Sequence, residues 1–300
     1  MELLLEGMKL KKNQPIIATF SIVGYDPETG EIGVAVQSKF LGVGSVVPWA
    51  KAGVGAVATQ AFANPAYGPE GLRLLEEGSC PDEVIQTLIS NDEDFSHRQI
   101  GVIDAKGNAA TFTGEECYDW AGGITGENYA AQGNILVNKE TVTHLGDAFE
   151  TTEGPLADRL IAGLKAAQNA GGDSRGKQSA AIYVVKENGG YGGLSDVFVD
   201  LRVDDHPEPI EELERIYQLQ QLYFGETNPD DVIKIEGEEE SNLRQWLAQL
   251  DYLTSPEVSE DEFHKGLTAY LHTENFEARE QDRGYIDMKV YEFMKTHAER

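Results

Sequence analysis

Residues 19–60 constrain the fold of this chain more than any other stretch, because short apolar runs alternate there with turn-forming residues. Two strand-like runs, 20–24 and 32–38, flank the turn sequence YDPETG. Proline fixes φ early in that turn, and Gly30 can adopt a positive φ, so the pattern predicts a β-hairpin. A third apolar run at 54–59 predicts a further strand after the glycine-flanked stretch around Trp49.

Thr19 stands at the head of the first predicted strand, and two lysines follow it along the chain. Lys39 comes directly after the second strand, and Lys51 lies thirty-two residues beyond Thr19. This is the layout of an N-terminal-nucleophile (Ntn) hydrolase, in which the threonine hydroxyl attacks, its freed α-amine accepts the proton and a cation lowers the pKa of that amine. The chemistry requires cleavage between Ala18 and Thr19. The alternative is that threonine simply favours strands and that each lysine is solvated at a strand edge.

Two further segments carry candidate site residues. In the turn-like sequence QGN, Asn134 is a candidate oxyanion donor and Gln132 a candidate substrate contact, although a turn asparagine without any catalytic part explains the pattern equally well. The loop 171–179 contributes Asp173, Arg175 and Ser179 as candidate substrate-binding residues. Arg175 could hold a carboxylate bidentately, or the loop could be ordered by ion pairing alone.

Seven stretches between residues 19 and 220 resemble an uncharacterised, mostly bacterial family, a domain of unknown function with an Ntn-hydrolase-like fold. They are TFSIV, GVAVQSK, VGAVATQAFANPAYG, RQIGVIDAKGNAATFTG, QGNIL, GGDSRGKQSAAIYVV and LRVDDHPEPIEEL. Near the C-terminus, NFEAR and the helical pattern after it resemble the small peptidoglycan-binding-like domain that some members carry. The resemblance implies a four-layer αββα sandwich followed by a small all-α domain, and says more about fold than about activity. Proteasome-type enzymes carry an acidic residue at the end of the second strand, where this chain has Gln37.

The order of elements along the chain predicts an α+β fold. The order is hairpin strands, two helices, more strands and a closing helix at 209–222. This order excludes the simple βαβ alternation of a parallel α/β fold. We predict an N-terminal extension at 1–18, the αββα domain at 19–225, an acidic linker at 226–241 and a helical domain at 242–300, with helices at 242–252, 259–272 and 285–296. The apolar residues expected in its core are Trp246, Leu247, Leu250, Leu253, Phe263, Leu267, Leu271, Phe276, Met288, Val290 and Phe293.

Composition excludes several kinds of partner. A net charge of −28, from 52 acidic and 24 basic residues, repels phosphate backbones and anionic lipids, so no nucleic acid is expected. Cys80 and Cys117 are too few for a disulfide framework, and the six scattered histidines lack ligand spacing, so we expect no metal and no cofactor. No apolar run spans a membrane, and the acidic start followed by lysines does not fit a secretory signal, so we expect a cytoplasmic protein.

Two functional hypotheses remain open. The first is an amide-bond hydrolase acting on a small-molecule or peptide-like substrate, with Thr19 as nucleophile, Lys51 or Lys39 as cation and Asn134 as oxyanion donor. The second is a non-catalytic binding or assembly protein on the same scaffold, in which the C-terminal domain binds peptidoglycan fragments. The sequence leaves the substrate unidentified and a homo-oligomer open.

Overall fold

The computed structural model describes residues 19–299, which form two compact units that divide after Glu214. The predicted extension 1–18, with its cleavage point at Ala18, lies outside the described residues. Among the residues described, no helix has the length and apolar character needed to cross a membrane.

Two antiparallel sheets form the centre of the first unit. The larger has six strands in the order β10-β9-β2-β1-β8-β7, and the smaller has four in the order β3-β4-β5-β6. The strands are β1 Thr19–Tyr25, β2 Ile32–Ser38, β3 Pro48–Lys51, β4 Gly55–Ala61, β5 Arg98–Asp104, β6 Ala109–Thr113, β7 Gly122–Gly126, β8 Tyr129–Asn134, β9 Ser179–Val185 and β10 Val197–Val203. The predicted hairpin is therefore β1 and β2, paired in register from Thr19 with Ser38 to Tyr25 with Ile32.

Helices cover both outer faces of the paired sheets. Helices α1 (Tyr67–Glu76) and α2 (Pro81–Ser90) pack on the four-stranded sheet, while α3 (Glu140–Thr151) and α4 (Leu156–Asn169) pack on the six-stranded sheet. The inner faces of the sheets meet each other, since β1 and β8 contact β4 and β5. The predicted four-layer αββα order is confirmed.

The two-residue period of a strand decides which layer each β1 side chain meets. Gly24 faces the helices, where an added Cβ would come within 2.9 Å of the Phe149 ring. Val23, the neighbouring residue, faces the other sheet and belongs to the apolar core between the sheets. The remaining residues of β1 alternate in the same way, so Thr19 and Ser21 face inwards between the sheets.

The second unit is a helical domain that also contains a two-stranded sheet. It takes in the end of α5 (Pro209–Phe224), followed by β11 (Val232–Lys234), α6 (Gly237–Gln249), α7 (Glu260–Thr273), β12 (Tyr285–Asp287) and α8 (Met288–Ala298). Strands β11 and β12 pair antiparallel, so the domain is not purely helical. Its core contains Leu243, Leu247, Phe263, Leu267, Tyr270, Leu271, Phe276, Ile286, Val290 and Met294.

Three expectations for this domain need correction. The stretch predicted as an acidic linker, 226–241, contains β11 and the start of α6, whose first turn gains from the acidic side chains Glu238, Glu239 and Glu240. Helix α8 begins at Met288, because the Asp287 side chain caps it by accepting from two backbone N–H groups. Met288 itself is exposed, so it is not a core residue.

Candidate functional site

A row of four buried polar side chains crosses one end of the six-stranded sheet. In the register of the sheet, Ser179 lies beside Ser38, Ser38 beside Thr19 and Thr19 beside Asn134. None of the four is more than 1% exposed. The predicted residues Thr19, Asn134 and Ser179 are therefore brought together, although they come from three distant parts of the sequence.

Thr19 lies at the head of β1 with its hydroxyl turned into the space between the sheets. Its Oγ1 donates a hydrogen bond of 3.1 Å to Oγ of Ser38, and the side chain is fully buried. On the other side of the row, Oγ of Ser179 accepts from the backbone N–H of Val43 and donates to the carbonyl of Phe40. The hydroxyls of Thr19 and Ser38 therefore meet at the start of β1, whereas the hydroxyl of Ser179 fixes the segment that follows β2.

A second polar row, on the four-stranded sheet, faces the first. Gln60 on β4 lies beside Gln99 on β5, and Gln99 lies beside Thr113 on β6. The side chains bond along the row: Nε2 of Gln60 donates to Oε1 of Gln99 at 2.8 Å, and Nε2 of Gln99 donates to Oγ1 of Thr113 at 2.8 Å. Both glutamines are fully buried.

Hydrogen bonds from the glutamine row reach the backbone and side chains of the Thr19 row. Gln60 donates to the carbonyl of Thr19 at 3.4 Å, and Nδ2 of Asn134 donates to Oε1 of Gln99 at 3.0 Å. Ser21 donates to Oε1 of Gln60 at 2.6 Å and accepts from Nε2 of Gln132 at 2.7 Å. Two sheets that are joined by apolar packing elsewhere are therefore joined at this end by a network of neutral amides and hydroxyls.

Amide networks inside a protein stabilise it only where nearly every member is satisfied. Here the one exception is Oε1 of Gln132, which has no hydrogen-bond partner among the described residues. That oxygen lies against Gly101, where an added Cβ would come within 2.2 Å of it. A glycine at this position on β5 therefore makes room for the Gln132 side chain.

Asp173 organises the chain immediately beyond Ser38. Its fully buried carboxylate accepts from the backbone N–H of Lys39 at 3.0 Å and forms an ion pair with Arg175, whose Nη2 lies 3.0 Å away. The Nζ of Lys39 is exposed and donates to the carbonyl of Lys177 at 3.3 Å. The predicted residues Asp173, Arg175 and Lys39 therefore lie together. The ion pair between Asp173 and Arg175 corresponds to the second alternative for this loop, in which ion pairing orders it.

The structure does not bring Lys51 to Thr19. Lys51 ends β3, where it pairs with Gly55, and its Nζ forms a surface ion pair of 2.6 Å with Glu76. Gly55 lies five residues before Gln60 on β4, about 16 Å along the strand from the Thr19 row. Of the two candidate cations, only Lys39 is near the site.

Gln37 does not face Thr19 either. Its register partners are Phe20 and Ala180, so it lies on the helix-covered face of the sheet, and Ser38 takes the position opposite Thr19. Gln37 is fully buried, and neither polar atom of its amide has a hydrogen-bond partner within the described part of the chain. The absence of an acid at position 37 therefore has no bearing on the Thr19 row.

Sequence reasoning missed Ser38, Gln60 and Gln99. Each is a polar residue close to one end of a mostly apolar strand, as in GAVATQA and RQIGVID. A glutamine in such a place predicts a buried side chain that needs partners, because an unsatisfied buried amide is costly. That pattern could have identified both glutamines, but not which strands they join.

These features define a two-sheet αββα protein with a buried hydroxyl and amide cluster at one end, joined to a small helical domain. Residues 19–213 match the model of a family of unknown function, DUF1028, and the chain belongs to that family. Residues 223–294 match a domain described as "Putative peptidoglycan binding domain".

Among solved structures, the chain is similar to the crystal structure of protein SPO2555 from Silicibacter pomeroyi, which carries the same DUF1028 family model. The two are 35% identical, with a TM-score of 0.64, over 69% of this chain and 91% of the other. No curated protein matches the chain.

Proposed function

We propose that the αββα domain is an amide-bond hydrolase of the Ntn type, with Thr19 as its nucleophile. The observation that carries the proposal is the position of Thr19: it begins the first strand, and its hydroxyl points into a polar cluster between two otherwise apolar sheets. In the full chain the nitrogen of Thr19 is a peptide nitrogen and cannot accept a proton. Cleavage after Ala18 would convert it into an amine next to the hydroxyl.

The reaction then follows from the residues around Thr19. The hydroxyl attacks the carbonyl carbon of the substrate amide, and the α-amine of Thr19 accepts the hydroxyl proton. The amine then returns that proton to the leaving nitrogen, and water releases the acyl group from Oγ1 by the same route. Ser38 orients the attacking hydroxyl, and Asn134 supplies an amide donor for the oxyanion once it turns from Gln99. Lys39, rather than Lys51, is the cation assigned to lowering the pKa of the amine.

Intact-mass measurement and N-terminal sequencing of the purified protein test this proposal directly. The expected mature sequence begins TFSIV, and a threonine-directed electrophile such as a vinyl sulfone should label it. Thr19→Ser should keep both processing and labelling, while Thr19→Ala should lose both. Asn134→Ala should lower kcat by about 10²–10³, the usual cost of one oxyanion donor. A protein that keeps residues 1–18 and resists labelling would overturn the proposal.

A second candidate function is binding of cell-wall glycan through the helical domain. The match of residues 223–294 to a peptidoglycan-binding domain supports it. This function needs no cleavage, and it is compatible with a Thr19 that stays internal and hydrogen-bonded to Ser38. Co-sedimentation of the full chain with purified insoluble peptidoglycan tests it, and a protein that stays in the supernatant at all concentrations speaks against it.

A further inference from the structure

The helical domain contains a small pocket between α7 and the segment 279–286. Its volume is about 190 Å³. Its apolar part is formed by Leu267 and Leu271 of α7 and by Ile286 of β12, all almost completely buried. Sites for drug-sized ligands usually measure about 300–1,000 Å³, so this pocket has room for a single ring and not for an extended ligand.

The rim of the pocket offers both donors and acceptors. Glu280 accepts from Oγ1 of Thr268 at 3.1 Å and from Nε2 of His272 at 2.9 Å. The Arg283 guanidinium, 59% exposed, donates to Asp261 at 2.7 Å and, with five N–H donors, has others to offer. Such a mixture suits a ligand that carries several hydroxyl groups.

His264 and Tyr285 complete the rim. Burial and the neighbouring Arg283 lower the pKa of His264, which favours the neutral imidazole, a form that offers one donor and one acceptor. Tyr285 is 45% exposed and presents an aromatic ring with a polar tip, which suits the apolar face of a sugar.

Hydrogen bonds and an ion pair fix the segment 279–286, which forms the rim, to the rest of the helical domain. Arg279 is buried, and its guanidinium forms an ion pair of 2.6 Å with Asp287 and also donates to the backbone carbonyls of Gln221 and Leu222. Because Arg279 and Asp287 bracket the segment, its two ends are fixed relative to the domain core. A pocket held in this way needs little reordering when a ligand enters.

We infer that this pocket binds one N-acetylated sugar ring of cell-wall glycan, with the acetyl methyl on the leucine floor and the hydroxyls on Thr268, Glu280 and Arg283. The inference rests on the second candidate function. The charge of the domain favours a neutral ring over a peptide stem, since residues 226–300 carry 19 acidic and 8 basic side chains and repel carboxylates.

Two matched substitutions on α7 test the inference in the full chain. Thr268→Trp fills the pocket, whereas Thr273→Trp places the same ring on an exposed position of the same helix outside it. Circular dichroism melting curves confirm that both variants fold. We expect Thr268→Trp, and Arg283→Gln as a milder change, to reduce retention on insoluble peptidoglycan tenfold or more, while Thr273→Trp matches the unsubstituted protein.

Competition identifies the part of the polymer that is bound. The N-acetylglucosamine tetramer should release the bound protein, and a free stem tripeptide should not. If the unsubstituted protein is retained but Thr268→Trp and Arg283→Gln are retained equally, the pocket is wrong while the binding function stands. Release by the tripeptide alone overturns the sugar assignment. If the unsubstituted protein is not retained at all, the binding function itself fails, and the pocket inference fails with it.

Discussion

Gln37, whose amide has no hydrogen-bond partner among residues 19–299, gives a prediction whose sign follows directly from the structure. Gln37 lies on β2, facing the helix layer, and is fully buried. Replacement by methionine keeps the length of the side chain and removes both unsatisfied polar atoms. We expect Gln37→Met to stabilise the αββα domain.

The magnitude follows from what the amide loses on burial. A buried polar group without a partner costs about 1–3 kcal/mol, and an apolar replacement of the same shape recovers that cost. We therefore expect the free energy of unfolding to rise by about 1–3 kcal/mol. Methionine is flexible enough to adopt the space that the amide occupies, so little strain should offset the gain.

Gln60→Met is the matched control. Gln60 is equally buried, but it donates to Gln99 and the Thr19 carbonyl and accepts from Ser21. The same substitution there leaves several buried groups without partners. We expect a loss of about 2–4 kcal/mol, because removing one member of a satisfied network leaves the others uncompensated.

Hydrogen exchange is the suitable measurement, since the chain contains two units and a single unfolding curve would mix them. Protection of peptides from β1 and β2 reports the αββα domain alone. Protection should increase in Gln37→Met and decrease in Gln60→Met. If Gln37→Met reduces protection, or if both substitutions have the same sign, the amide of Gln37 is satisfied in solution and the reasoning is wrong.

Two other predictions concern ionisable groups. Burial raises the pKa of Asp92, but hydrogen bonds from Arg98 and Tyr67 together outweigh burial and hold this pKa well below its usual range. The carboxylate therefore stabilises the fold above pH 4, and this stabilisation is lost as the pH falls through the lowered pKa. Asp92→Asn should cost about 3 kcal/mol at pH 7. Urea unfolding followed by tryptophan fluorescence in a Trp246→Phe background, where Trp49 and Trp120 report the αββα domain alone, measures this, and a difference from the same background without Asp92→Asn that fails to shrink below pH 3 would contradict it. Burial raises the pKa of Cys117 to about 11, whereas Cys80 is exposed. Iodoacetamide at pH 8 should therefore modify Cys80 first, and mass spectrometry of Cys80→Ser should show little early labelling.

Local patterns in the sequence predicted most elements of the αββα domain. Strand β2 has the predicted bounds, and the YDPETG hairpin is confirmed. Periodicity works at these places because each strand is apolar and ends at turn-forming residues. Strands β3 and β7 and helix α3 were not predicted. Strand β7 is Gly-Gly-Ile-Thr-Gly, whose strand conformation comes from pairing with β8 and not from its own propensity.

The candidate site was harder to predict, because it depends on register. The sequence indicated Thr19, Asn134 and Ser179 separately, but only the pairing of three strands shows that they share a row. A shift of one residue in β2 would have placed Gln37 beside Thr19 and Ser38 on the helix side. Lys51 shows the same limit: its spacing from Thr19 is suitable, but β3 runs in the other sheet and directs it to Glu76.

The concentration of polar side chains at one end of the sandwich bears on which of them matter for function. Four residues along β1 from Thr19, the row formed by Val34, Val23 and Ala130 is apolar and packs in the core between the sheets. A polar network specifies one register of two sheets, because its hydrogen bonds form in no other, so structure alone accounts for Gln60 and Gln99. The Thr19–Ser38 hydroxyl pair is different. It lies within a single sheet whose backbone ladder already fixes the register, so the pair is not needed to specify how β1 and β2 align. A test for chemistry should therefore begin with the hydroxyl pair.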